Sequence, residues 1–201
     1  MKFTLSILAL LAIAFLVGCS AKDTNNNKLS NSEITKLGKK YGGVYVFNKK
    51  FEKEIDDRER ERKDYMDDFF KTKKVFKKDD LKVLDNALPQ TLSNGKKYYT
   101  TTRAYGEDYN KQAKLPEIYK EKIINFIGQE DYNKFKPSML LSYFYVDDNQ
   151  DIVPIVVSVY YTVGYTKYGF FGDEGRGFAL SRRDVKDVGG DSVFYLEDLE
   201  K

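Results

Sequence analysis

The chain has no histidine and no tryptophan, four prolines, and a single cysteine, Cys19, in 201 residues. Without histidine there is no Ser-His-Asp or Cys-His nucleophile and no imidazole to ligate a metal. One cysteine excludes a disulfide within the chain, and a lone thiol does not make a thiolate metal centre. Catalysis would have to run on carboxylates, lysine, tyrosine, serine or threonine. Neither sign of charge dominates: 34 Lys and Arg face 31 Asp and Glu, a formal net charge of +3. That balance argues against a nucleic-acid partner, which calls for concentrated positive charge. No cofactor motif is found and no cofactor is expected.

Aromatic and charged residues are what the chain has in quantity. Sixteen Tyr and 14 Phe stand beside a charged fraction of 32%. So charged a chain has a well-solvated outside, and its core must come from Tyr, Phe, Ile, Leu and Val.

The placement of Cys19 is specific. Met1 and Lys2 give a basic start, and Phe3 to Val17 is apolar except for Thr4 and Ser6. A charged start before an apolar run of this length is a secretory signal pattern, and the run is shorter than the ~20 residues a spanning helix needs. It ends in Leu16-Val17-Gly18-Cys19, which resembles the lipobox of bacterial lipoproteins. The resemblance implies cleavage between Gly18 and Cys19 and a diacylglycerol on the Cys19 thiol. It implies an envelope location on the extracytoplasmic side, and Ser20 resembles the outer-membrane class where the host has two membranes. The resemblance ends near residue 19. The division it suggests is a signal peptide over 1–18, a lipidated polar tether over 19–38, and one domain over 39–201. Lysine recurs from residue 22 to residue 53, which suits either an anionic lipid surface or a solvated tether.

Periodicity predicts an α+β fold, with N-terminal helices and one central helix packed on one face of a mainly antiparallel sheet drawn largely from the C-terminal half. A strand is expected at 42–47 and a helix from the Asn48 cap to 76. The apolar-free stretch 56–64 makes that helix either an exposed rod laced with ion pairs or two helices. A strand follows at 96–105, after the Asn94-Gly95 turn. Pro116 opens a helix that Gly128 closes. Strands at 138–146 and 152–163 flank a turn, with Val153, Ile155, Val157, Val159, Tyr161 and Val163 on one face. Pro154 marks an edge or a bulge. Residues 165–171 and 177–181 form a second hairpin, and 192–198 a last strand or helix.

Three patterns touch on chemistry and fail it. Asp147, Asn149 and Asp151 have the alternation of a calcium loop, but Ile152 and Ser158 replace its glycine and its closing carboxylate, so a hairpin turn is the better reading. Ser93-x-x-Lys96 has a nucleophile–base spacing, yet Asn94-Gly95 predicts a turn where that motif needs a helix. The acidic pairs at 56–57, 67–68, 79–80, 173–174 and 197–198 read as solvated faces.

One segment is a candidate for binding. Residues 165–178, "YTKYGFFGDEGRGF", gather Tyr168, Phe170, Phe171, Phe178 and Arg176 among four glycines. Aromatics and arginine dominate binding hot spots. Pattern alone favours rings packed down into the core, and the competing reading is an exposed loop for a protein or glycan partner. The functional expectation is a non-catalytic, lipid-anchored envelope lipoprotein that binds or supports such a partner. A carboxylate- or Ser/Lys-based cell-wall hydrolase and an inhibitor or immunity-type lipoprotein are the alternatives.

Overall fold

The computed structural model describes residues 22–23, 29–72, 75, 77–173, 175 and 177–197. The signal segment, Gly18 and Cys19 lie outside them. The fold is α+β, as expected, built on a mixed sheet.

Helix α1 (Asn31–Tyr41) begins well inside the tether expected over 19–38, which corrects that boundary. Ser30 and Glu33 explain the start: each side chain bonds the other's backbone N–H, a reciprocal capping box. Ile34 is fully buried, so the helix is docked rather than idle. At Gly38 a Cβ would come within 2.7 Å of the Val188 carbonyl oxygen, so only glycine lets α1 lie this close.

Strand β2 (Gly43–Val46) follows, and the Asn48 side chain accepts from the Phe51 N–H to open α2 (Lys49–Thr72). The apolar-free middle of α2 stays one helix. Asp57–Arg60, Arg58–Glu61 and Lys63–Asp67 are ion pairs along its surface. Arg62 is the exception, buried where its guanidinium bonds the Asp85 carboxylate at 2.7 Å and the Leu88 carbonyl. Through those two bonds it fixes α3 (Lys78–Ala87), which periodicity did not single out.

The strand expected at 96–105 shrinks to β3 (Tyr98–Tyr99) and gives way to helix α4 (Thr102–Tyr109). Thr101 decides this. Its hydroxyl accepts from the Ala104 N–H, a helix cap within a run of β-formers. Helices α5 (Glu117–Ile127) and α6 (Gln129–Lys134) come next, joined at Gly128. The remaining strands are β4 (Ser138–Val146), β5 (Ile152–Asp173), β6 (Gly177–Val188) and β7 (Ser192–Tyr195). Two residues, Lys22–Asp23, form β1.

The main sheet runs β3-β4-β5-β2-β7. All its pairings are antiparallel except β2 with β7. Tyr45 belongs to the larger core cluster, with Ile34, Ile123, Phe144, Val157 and Tyr161. Its neighbour Val46 belongs to a second cluster, with Ile55, Leu92 and Val156. Adjacent strand residues point to opposite faces, so the sheet is covered on both faces rather than one. Register shifts in β4 between Leu141 and Phe144 move Ile155 into the second cluster, off the face expected for it. Pro154, paired with Phe144, is fully buried at that irregularity, so it marks a bulge in the central strand.

Candidate functional site

Strand β5 is 22 residues long, and its two halves have different neighbours. Up to Tyr160 it is paired within the main sheet. From Tyr161 to Asp173 its ladder partner is β6, and at Tyr165 and Thr166 it also pairs with β1. The hairpin expected at 165–181 is thus the outer end of a longer two-stranded ribbon.

Glycines shape that end. Gly172 has φ +120°, and a Cβ there would lie 2.0 Å from the Gly177 carbonyl oxygen. Gly177 itself has φ +79°. Both conformations belong to glycine, and together they turn the chain back on itself. A register shift between Tyr168 and Phe171 puts an irregularity just before the turn.

The aromatic residues singled out in the sequence do come together here. Phe170 stacks on Phe178 with centroids 4.6 Å apart and rings 20° from parallel. The Arg182 guanidinium lies 4.8 Å over the half-buried Phe171 ring. Tyr168 is half-exposed. The rings therefore do not pack down into the core: Phe170 is 71% exposed and Phe178 58%. Arg176 lies outside the described residues. Sequence reading missed Leu180, 75% exposed, and the cations Lys167, Arg182 and Arg183. The alternation Phe178, Leu180, Arg182 was the available signal, since period two puts these three on one face.

Elsewhere three carboxylates accept from tyrosine hydroxyls. Tyr98 donates to Glu59 at 2.6 Å, Tyr99 to Asp108 at 2.9 Å, and Tyr41 to Asp131 at 2.6 Å. Tyr41, with Lys134 and Lys40, holds the Asp131 carboxyl well below the usual carboxylate range. Burial pushes the Tyr98, Tyr99, Tyr45 and Tyr161 phenols up, and it pushes Tyr143 up to about 12 with help from Asp56. These tyrosines keep their protons because they are buried, which is the behaviour of core groups.

The other sequence patterns resolve as local structure. Asp147 accepts from the N–H groups of Asn149 and Asp151, closing the β4–β5 turn. Gly95 sits in a turn at φ +79°, and Lys96 bonds Asp148, so Ser93 and Lys96 do not open a helix. Asp68 and Asp79 pair with lysines three residues away. The Glu197 carboxylate accepts from the Lys49 N–H.

A cleft of about 160 Å³ lies between the end of β2 and α5, lined by Phe47, Tyr119, Lys122, Tyr145 and Glu197. It is small for a ligand pocket, and Glu197 is the acid in its lining. No group of three or more acidic, histidine or cysteine side chains able to hold a metal occurs among the described residues.

No protein-family model, curated protein or solved structure matches the chain. Function must be argued from the residues. Among the described residues no helix is long and apolar enough to cross a membrane. The ribbon end has the chemistry of a contact surface, because exposed apolar groups gathered beside cations are typical of interaction sites.

Proposed function

We propose that the chain is a non-catalytic lipoprotein of the bacterial cell envelope, held on the extracytoplasmic side by lipid on Cys19. It contacts an envelope component through the end of the β5–β6 ribbon. One observation carries the contact surface: Phe170, Phe178 and Leu180 are exposed together on two strands whose turn glycines hold them in place. Leaving such rings in water forgoes roughly 25 cal/mol for every Å² of apolar surface, a cost that binding recovers. The lipobox residues support the anchor. A single acyl chain anchors only marginally, whereas the two or three chains of a lipoprotein hold stably.

Two measurements test the two parts of this reading. Intact mass of the membrane-purified protein should show lipid on Cys19, and Cys19→Ser should lose both that mass and flotation with membranes. A photo-crosslinking residue at position 170 should yield adducts in cells that the same residue at Val83, exposed on α3, does not. An unlipidated wild type would sink the anchor, and equal adduct yields at 170 and 83 would sink the contact surface.

A further inference from the structure

The pairing of β1 ties the lipid anchor to the ribbon. Lys22 lies opposite Thr166 and Asp23 opposite Tyr165, antiparallel. Moving towards Cys19 along β1 is therefore moving along β5 towards Tyr168 and Phe170, the aromatic end. Lys22 is three residues from Cys19, so the covalent chain keeps the two Cα atoms within about 11 Å. Phe170 lies four residues beyond Thr166, about 13 Å along a strand. Residue 19 is thus tethered within about 11 Å of the strand pair whose outer end carries the exposed rings.

The order of side chains along the ribbon suits a bilayer interface. Behind the closing pair Asp173–Gly177 come Phe178, Phe170 and Leu180, and Lys167, Arg182 and Arg183 follow behind them. Lys167 and Arg182 stand directly opposite each other in the ladder, as do Thr166 and Arg183. Asp184 pairs with Arg182 at 3.2 Å and offsets part of the repulsion between these opposed cations, and an anionic surface relieves the remainder. Phe and Leu on interfacial elements bury at the boundary of headgroups and acyl chains, while lysine and arginine extend to phosphates.

We propose that the ribbon end is a second membrane contact. Phe170, Phe178 and Leu180 enter the headgroup region beside the acyl chains of Cys19, and Lys167, Arg182 and Arg183 meet anionic lipid phosphates. This rests on the reading of Cys19 as lipidated. It makes the ribbon a foot that fixes the orientation of the domain over the bilayer, and it leaves the opposite surfaces free for other partners.

The natural chain has no tryptophan, so a single introduced one reports its own surroundings. Phe178→Trp and, as control, Val83→Trp are prepared as full-length lipidated protein in phosphatidylethanolamine–phosphatidylglycerol vesicles with bromine on the acyl chains. The Phe178→Trp protein should give a blue-shifted indole signal quenched at least about two-fold, since interfacial apolar groups sit ~5–10 Å into the headgroup and acyl boundary. The Val83→Trp protein should be unquenched. Equal quenching in the two variants, in protein that carries lipid on Cys19, overturns the foot and leaves the anchor standing. Absence of lipid on Cys19 by mass overturns the anchor and this inference with it. Circular dichroism matching wild type shows that both variants are folded.

Discussion

The two halves of β5 belong to one strand and live in different surroundings. Residues 155–161 are mostly fully buried, with Ile155, Val157, Val159 and Tyr161 near zero exposure, whereas Lys167 to Phe170 are all exposed. Both stretches carry aromatic residues and both are strand, so being in a strand does not separate them. What separates them is what lies against their faces. The inner half is covered on one face by the cluster holding α1 and α5 residues and on the other by the cluster holding Ile55 of α2. The outer half has β6 and, briefly, β1 as its ladder partners. An aromatic ring is a core element or a contact element according to its neighbours, and the strand itself does not choose.

The comparison is sharpest in stability. Phe144→Ala, at a fully buried ring stacked on Tyr99, should cost about 3–5 kcal/mol, read as a fall in the urea midpoint. A cost near that of a surface substitution would mean that the β4 ring packed beside the inner half of β5 is not part of the core.

Alkaline pH probes the same contrast through the tyrosines. Tyr143, half-buried near Asp56, has its ionisation raised from 10.0 to about 12. A folded-state value above the unfolded one gives stability that is complete below pH ~10 and lost as pH rises through the folded value. Unfolding free energy should therefore fall between pH 10 and 12, and Tyr143→Phe should flatten part of that fall. An unchanged slope in the variant would mean that Tyr143 is not held neutral by burial.

The smallest effect belongs to the ribbon. Leu180→Ser should change stability by no more than ~0.5 kcal/mol, because the side chain is already in water. A loss well above that in chemical denaturation would show the ribbon end to be packed and would erase the distinction between the two halves.

Much of this was legible in order along the chain. The α2 helix, the α5 helix between Pro116 and Gly128, the β4–β5 turn and the cluster of aromatics at 168–178 all follow from period, caps and turn residues. Local signals failed where one residue overruled its run. Thr101 caps a helix among β-formers, Ser30 and Glu33 start α1 inside a polar segment, and Arg62 buries a charge because Asp85 and Leu88 receive it. Such decisions depend on a single hydrogen bond or a partner over twenty residues away, and periodicity averages over both.

By itself the sequence determined the element types over most of the chain, the exclusion of histidine chemistry and of a disulfide within the chain, and the lipobox resemblance at Cys19. Only the tertiary structure decided that β5 is continuous from core to ribbon, that Ile155 changes cluster at the bulge, and that Phe170 and Phe178 stack in solvent. The physical reason is that alternation records which residues share a face, while burial depends on whether another element arrives to cover that face.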